Sequence, residues 1–156
     1  MTPRQFKAIF VDDNVDEFRA APHDVVRAVN AIWAVDALVA HVWLWGSENT
    51  PDLIPEASDD KYRDTLSDNS KPYAALRDAA NAMKHAKLTR KRPVIHYSTD
   101  VQKMGAAFQE DAFQDDAVQL GDVVVQLQDD SVHLVTHLIN DSLAALESEM
   151  TRIGAP

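Results

Sequence analysis

The sequence contains no cysteine, which excludes disulfide bridges, thiolate nucleophiles and thiolate metal ligands. This absence is compatible with a reducing compartment. Glycine occurs only four times, always isolated, so the chain has no Gly-rich phosphate-binding loop. The Gly-x-Ser-x-Gly turn that carries the nucleophile of α/β hydrolases is also missing. We therefore predict no cofactor, and any chemistry must come from other side chains.

The sequence has little that suggests a membrane. Its first residues lack a long apolar segment followed by a small-residue cleavage site, so we predict no signal peptide. The single long apolar run, residues 28–45, is interrupted by Asn30, Asp36 and His41. A carboxylate near the bilayer centre would cost roughly 2.5–3.5 kcal/mol. The run therefore predicts a buried core helix, and we expect a cytoplasmic protein without a membrane span.

Positive charge is scarce, since the formal net charge is -10. This balance argues against a general polyanion-binding protein, because phosphate binding needs a positive surface. The charge is nevertheless uneven: residues 84–92 hold five of the 15 Lys and Arg, whereas residues 100–130 hold eight acids and one Lys. The basic segment can bind a phosphate locally or pair with the protein's own carboxylates. The sequence leaves both alternatives open.

The length of 156 residues and the apolar content of 46% predict a single domain, residues 1–156, with its own core. The spacing of apolar residues predicts an α+β fold, a mostly helical bundle with a small antiparallel hairpin or sheet before the C-terminal helix. Gly46 is expected to end the second helix, and Ser58 to cap the third. The predicted helices cover residues 4–19, 22–45, 59–66, 72–87 and 131–152. The predicted strands cover residues 93–99, 101–108, 118–120 and 123–128.

The helix predicted at residues 72–87 carries the candidate site. Arg77, Asn81 and His85 lie along one polar side, because each step of four residues turns by about 40°. Arginine is a forked donor for phosphate, and histidine exchanges protons near neutral pH. Together they can bind a phosphodiester and move the proton of a ribose 2′-hydroxyl, as metal-free RNA cleavage requires. The candidate residues are Arg77 and His85 for catalysis, and Asn81, Lys84, Lys87, Arg90 and His41 for binding.

A simpler explanation exists for the basic end of this helix. The C-terminus of a helix carries a partial negative charge, which attracts Lys84, His85 and Lys87 without any function. His41 also has two explanations. It follows Asn30, Ala34 and Ala37 on one stripe of the second helix, whose alanines would let another helix approach closely. His41 is then either a core histidine with a hydrogen-bonded ring or a polar member of a site that faces the basic helix.

A second pair of histidines, His133 and His137, is expected four residues apart on the last helix. Such a pair can share a metal ion. Leu134 stands where the zinc peptidase motif has its glutamate, so peptidase activity is not expected. The alternative is that both histidines face solvent beside the apolar side of the helix, and we assign no metal ligand.

Part of the basic helix resembles a known pattern. Ala80, Asn81, Lys84, His85 and Leu88 fit the A-N-x-x-K-H-x-x-L motif of uncharacterised bacterial proteins, in which it likewise follows a long apolar helix and precedes a hairpin and a final helix. The motif is similar in style to that of the HEPN (higher eukaryotes and prokaryotes nucleotide-binding) helical domains. The resemblance covers about residues 22–90.

The resemblance implies a function. Many HEPN proteins are dimeric RNases of toxin–antitoxin and antiviral systems, which use an Arg, the polar residue after it and a His. Arg77, Asp78 and His85 would take those roles. Seven residues separate Arg77 from His85, a wider spacing than in the HEPN pattern, and a hairpin is not part of a minimal HEPN bundle.

The sequence thus supports three hypotheses. The first is an intracellular bacterial HEPN-like protein that binds RNA or a nucleotide and acts as a metal-independent RNase. The alternative is a non-catalytic interaction protein, in which the apolar helix at residues 22–45 and the last helix form a homodimer. The third is a metal-binding protein that uses His133 and His137.

Overall fold

The computed structural model describes residues 1–88, 93–104 and 121–156. It confirms the predicted α+β class, a helical bundle with a small antiparallel sheet before the C-terminal helix. The elements follow in the order α1 (Pro3–Phe6), a π turn (Lys7–Val11), α2 (Asp12–Arg19), α3 (Val25–Asn49), α4 (Asp59–Asn69), α5 (Lys71–His85), a 3-10 turn (Ser98–Asp100), β1 (Val101–Lys103), β2 (Val123–Gln126), β3 (Val132–Leu134) and α6 (Val135–Arg152).

The helix α3 lies at the centre of the fold and contacts all five of the other helices or their neighbouring turns. Its residues Ile32, Val35, Leu38 and Val42 are almost completely buried, because successive turns of one apolar side face α5 and α6. By length and hydropathy α3 is also the one helix of the described residues that is long and apolar enough to cross a membrane, a property that core helices share.

The sheet has the order β1-β2-β3, and both pairs are antiparallel. Val125 of β2 lies opposite Val101 of β1 and His133 of β3. All three valines of β2 are buried, so the central strand packs its two faces against the rest of the molecule. Residues 118–120, predicted as one arm of a hairpin, and residues 105–108 of the predicted second strand lie outside the described residues.

Side chains that cap helices fix three of the helix starts. Ser58 accepts a hydrogen bond from the Lys61 amide, which confirms its predicted role before α4. Ser70 caps α5 through the Tyr73 amide, and Pro72 stands in the first turn, where a missing N–H costs nothing. Asp24 accepts hydrogen bonds from the Val26 and Arg27 amides and caps α3. The helix therefore begins at Val25, three residues after the predicted start.

The predicted end of α3 at Gly46 is wrong, since the helix continues to Asn49. Gly46 lies inside the helix because the loop after it packs closely there. A Cβ atom at this position would lie 2.5 Å from Cγ1 of Ile54 and 3.3 Å from Cδ1 of Ile153. The glycine therefore makes room for side chains instead of ending the helix.

The predicted strand at residues 93–99 is also wrong. Only Tyr97 forms an isolated bridge, with Lys87, and the 3-10 turn begins at Ser98. Carboxylates replace a strand partner here. The amide of Val94 donates to Asp78 Oδ2 (2.6 Å), and the amides of His96 and Tyr97 both donate to Asp100 Oδ2 (2.9 and 2.8 Å).

The last helix begins at Val135 instead of residue 131, because Val132–Leu134 forms the strand β3. The predicted cap at residues 129–131 forms a turn instead, in which Asp129 accepts hydrogen bonds from the amide and hydroxyl of Ser131 (3.1 and 2.6 Å). His133 consequently lies on a strand and His137 on a helix. The two histidines therefore do not stand one turn apart on a single helix, as the sequence predicted.

Candidate functional site

A polar cleft of about 220 Å³ lies where α3, α4 and α5 meet. The helix α5 contributes Arg77, Asn81 and Lys84, whose spacing of four and three residues places them on one flank. Three cations, three carboxylates and one amide line the cleft: Arg63, Arg77, Lys84, Asp36, Asp59, Asp60 and Asn81. The structure thus brings together three of the residues that the sequence selected and adds four others.

Asp36 forms the inner wall of the cleft and is only 4% exposed. Its Oδ1 accepts hydrogen bonds from Arg63 Nη1 and from the Tyr73 hydroxyl, the latter over 3.3 Å. Its Oδ2 lies 4.0 Å from the Lys84 ammonium. Arg63 also pairs with Asp59 over 3.4 Å at the start of α4. These contacts hold the carboxylate of α3 between cations of α4 and α5.

Burial raises the pKa of Asp36 above its ordinary value, although the fields of Arg63 and Lys84 and the Tyr73 hydrogen bond oppose this shift. Burial likewise raises the pKa of Tyr73, and the neighbouring Asp36 adds to the effect. Tyr73 therefore stays a neutral hydrogen-bond donor. A buried carboxyl with a raised pKa in a polar cleft is typical of functional sites.

Arg77 lies deep in the same cleft and is 7% exposed. Its Nη1 donates to Asp64 Oδ1 over 2.8 Å and to the Ser67 hydroxyl over 3.4 Å, and its Nη2 lies 3.5 Å from the Asp60 carbonyl. Its Nε is buried and has no hydrogen-bond partner among the described residues. The guanidinium thus holds α4 against α5, and Nε is the one of its nitrogens for which the structure shows no acceptor among the described residues.

Asn81 and Lys84 lie nearer to the cleft opening than Arg77. The Lys84 side chain is 50% exposed, and its contact with Asp36 at 4.0 Å is the limit of an ion pair. Asn81 is partly exposed and presents an amide that donates and accepts. His85 is exposed and does not line the cleft. It lies about 80° around α5 from Arg77, so the structure does not bring the two predicted catalytic residues together.

The other predicted binding residues lie elsewhere. Lys87 follows the end of α5, where Ala86 has a φ of 60°, and its ammonium lies 5.5 Å from the centre of the Tyr97 ring. His41 stacks on Phe6 of α1 with ring centroids 3.9 Å apart, and burial lowers its pKa. Neither residue lines the cleft. Arg90 lies outside the described residues.

Asp78, which the HEPN resemblance selects beside Arg77, is fully buried. Its Oδ2 accepts the Val94 amide, so its described role is to attach residues 93–95 to α5. Four members of the cleft are not among the residues that the sequence pattern indicates: Asp36, Arg63, Asp59 and Asp60. Asp36 offered a signal, because a single carboxylate inside an apolar helix needs a buried cationic partner.

Metal binding finds no support in the described part of the chain, where no three His, Asp or Glu side chains form a group that could hold an ion. His133 is exposed on β3, and its Nε2 lies 3.3 Å from the Ser131 hydroxyl. Comparison of the whole chain with protein-family models, with curated proteins and with solved structures gave no significant match. The function must therefore be argued from the cleft and its surroundings.

Proposed function

We propose that this protein is a HEPN-like protein that binds RNA or a nucleotide through a phosphate at the cleft between α3, α4 and α5. The observation that carries the proposal is the convergence of Arg63, Arg77, Lys84 and Asn81 on one cleft in a chain of formal charge -10. Three cations balance three carboxylates there, whereas acids outnumber Lys and Arg by 25 to 15 in the chain as a whole.

Two groups at the opening are suited to contact the phosphate directly. The Lys84 ammonium is half-exposed and lies 4.0 Å from Asp36 Oδ2, so a phosphate oxygen can reach it from the cleft opening. The Asn81 amide lies about one helical turn before Lys84 on the same flank of α5, and it donates hydrogen bonds without adding charge. Arg63 and Arg77 lie behind them and are already paired with carboxylates, so they hold the cleft wall in place and leave the direct contact with the phosphate to Lys84 and Asn81.

Cleavage of the bound RNA is the finer part of the proposal. His85 follows Asn81 by one turn of α5, and its imidazole is exposed. An RNA strand with a phosphate bound at Asn81 would therefore pass beside His85. In this arrangement His85 exchanges the 2′-hydroxyl proton of a ribose outside the cleft, one nucleotide along the strand from the phosphate held at Asn81, and Arg77 acts as a positioning residue. A metal-independent RNase of a defence or toxin–antitoxin system is the activity that we propose.

Binding and cleavage of a fluorescent single-stranded RNA in EDTA test the proposal. We expect Lys84→Met to weaken binding about tenfold and to lower the slope of log affinity against log salt by about one, because one phosphate contact is lost. Asn81→Ala should weaken binding with no change of slope. His85→Ala should retain binding and abolish cleavage.

Lys71→Met is the matched control, since Lys71 is an exposed lysine at the other end of α5. An equal loss of affinity in Lys71→Met and Lys84→Met would contradict a site at the cleft. Tight binding without cleavage, or cleavage that survives His85→Ala, would remove the RNase activity and leave the binding function.

A second candidate function, a homodimeric interaction protein, is favoured by the exposed side of α3. Uncharged residues recur there at alternating spacings of four and three, which is the repeat of helices that pack side by side. We name them the α3 stripe: Val26, Asn30, Trp33, Ala37, Ala40 and Leu44. Val26, Trp33 and Leu44 are 68%, 39% and 48% exposed. We propose a second copy of the chain as the partner of this stripe.

A further inference from the structure

The two oxygens of the Asp36 carboxylate have different surroundings. Oδ1 accepts two hydrogen bonds, from Arg63 and from Tyr73, and is therefore fixed in place. Oδ2 has no hydrogen-bond partner among the described residues, and its nearest cation is the Lys84 ammonium at 4.0 Å. The carboxylate thus presents one immobilised acceptor to the cleft that it lines.

This acceptor stands beside the proposed phosphate contact. An ionised carboxylate accepts hydrogen bonds but donates none, whereas the Lys84 ammonium only donates. The acceptor, Asp36 Oδ2, and the donor, Lys84 Nζ, are 4.0 Å apart. This pair matches a ligand in which a hydroxyl group stands next to a phosphate. Ribonucleotides have this arrangement, since the 2′-hydroxyl lies beside the 3′-phosphate, and deoxyribonucleotides lack it.

We infer that Asp36 accepts a hydrogen bond from the ribose 2′-hydroxyl, and that the cleft thereby selects ribonucleotides over deoxyribonucleotides. The inference rests on the proposed function, because the phosphate must first be held at Lys84 and Asn81. Asp36 acts here as a specificity-determining residue, and no bond is made or broken at its carboxylate.

Burial is the reason that this contact discriminates. Asp36 is 4% exposed, so a ligand at Lys84 displaces the water that would otherwise reach Oδ2. A deoxyribose then leaves a buried acceptor without a donor, which is the arrangement that rejects an analogue most strongly. Asp60 is exposed and Asp59 already pairs with Arg63, so neither can impose the same requirement.

The inference is tested first with the unaltered protein and three oligonucleotides of one sequence: RNA, DNA and 2′-O-methyl RNA. The 2′-O-methyl group retains the ribose oxygen but has no proton to donate. We expect RNA to bind at least tenfold more tightly than both others, as measured by fluorescence anisotropy in EDTA. DNA or 2′-O-methyl RNA that binds within twofold of RNA would overturn the inference and leave the proposed function intact.

Two variants separate recognition of the hydroxyl from binding of the phosphate. Asp36→Asn keeps an oxygen for Arg63 and can present an N–H₂ donor to the cleft, so the ratio of RNA to DNA affinity should fall to about one. Lys84→Met should weaken RNA and DNA equally and preserve the ratio. Asp68→Asn, which changes an exposed carboxylate of α4, is the matched control and should change neither.

The outcomes are distinguishable. Failure of all three oligonucleotides to bind would overturn the proposed function together with this inference. If Asp36→Asn does not fold, as judged by circular dichroism, the comparison of the three oligonucleotides with the unaltered protein still decides. A free ribonucleoside 3′-phosphate, set beside its 2′-deoxy form, then shows whether a single nucleotide suffices or a longer RNA is needed.

Discussion

Gly46 shows how one residue without a side chain sets the packing between α3 and residues 51–58, the segment that connects α3 to α4. The space that a side chain of residue 46 would take is filled by Ile54, whose Cγ1 would lie 2.5 Å from an added Cβ, and by Ile153 of the C-terminal turn. Glycine normally weakens a helix interior by about 1 kcal/mol. Here that loss is offset by the burial of Ile54, which is 3% exposed.

We therefore expect Gly46→Ala to destabilise the protein by roughly 1–3 kcal/mol, because overpacking outweighs the better helix propensity of alanine. Urea unfolding followed by circular dichroism measures the change. Ile54→Ala removes the atom that the new Cβ meets. The double variant should consequently lose less than the sum of the two single changes, and strict additivity would show that the contact does not limit the packing.

At the scale of single residues, the sequence identified three of the seven residues that line the cleft. Arg77, Asn81 and Lys84 were predictable from the sequence because their spacing matches the period of a helix. The identity of the cation that pairs with Asp36 was not predictable, since Arg63 lies 27 residues away on another helix and only the packing of α3 on α4 makes them partners. His85 shows the reverse: the period grouped it with Arg77, but the end of α5 leaves it exposed.

Among the elements, α6 is attached to the rest of the fold near its C-terminal end by Glu149. Its Oε2 accepts hydrogen bonds from the Tyr62 hydroxyl of α4 (2.9 Å) and from Arg152 Nη2 (2.6 Å). Arg152 also donates to the Leu53 carbonyl over 2.9 Å. Burial by itself would raise the pKa of Glu149, but the hydrogen bonds from Arg152 and Tyr62 outweigh it and hold the pKa below its ordinary value.

A carboxyl whose pKa is lowered by folding stabilises the native state above its unfolded pKa and loses that contribution as the pH falls through the folded pKa. The free energy of unfolding should therefore decrease below about pH 4.5, the ordinary value for this side chain. We expect Glu149→Gln to show a smaller decrease than the unaltered protein in urea unfolding at pH 6 and at about pH 3.

Glu48→Gln provides the comparison, because Glu48 is an exposed glutamate near the end of α3. The difference between variant and unaltered protein is the informative quantity, since Asp36 contributes with the opposite sign. Its pKa is raised in the fold, so its own contribution favours the native state as the pH falls. Equal pH dependence of Glu149→Gln and the unaltered protein would exclude a role for this cluster in acid unfolding.

The boundaries of the elements were predictable where a side chain marks them. Ser58 and Pro72 indicated the starts of α4 and α5, because capping and the first helical turn have distinct residue preferences. The start of α6 carries no side-chain cap, and the two residues at its junction with β3, Leu134 and Val135, are both apolar.

Residues 93–99 have strand-like composition, but the amides of His96 and Tyr97 donate to the nearby Asp100 and that of Val94 donates to Asp78. No local pattern reveals Asp78 as an acceptor, because it lies on α5.

For the whole molecule, the net charge of -10 restricts where two copies can approach each other. Like charges repel across most surfaces, but the six residues of the α3 stripe are all uncharged. The α3 stripe is about 27 Å long. Ala37 and Ala40 lie near its middle and allow a second helix to come close.

We expect the unaltered protein to elute at twice the mass of the chain in size-exclusion chromatography with light scattering. Leu44→Glu should give a monomer, because it places a carboxylate in the uncharged stripe of both copies. Glu48→Gln, one turn further along α3, is the control and should remain dimeric. A monomeric unaltered protein at concentrations of about 100 μM would contradict the homodimer.

The π turn at Lys7–Val11 places one residue more between Phe6 and Val11 than a regular helix would need to direct both side chains to the same side. Phe6 stacks on His41 and Val11 is fully buried, although five residues of a regular helix would turn them about 140° apart. The wider turn lets both face α3. Ile9 and Phe10 remain 53% and 45% exposed, so the surplus residue is absorbed outside the core. The segment is thus a place where the chain can gain or lose one residue through insertion or deletion while the helices after it keep their register.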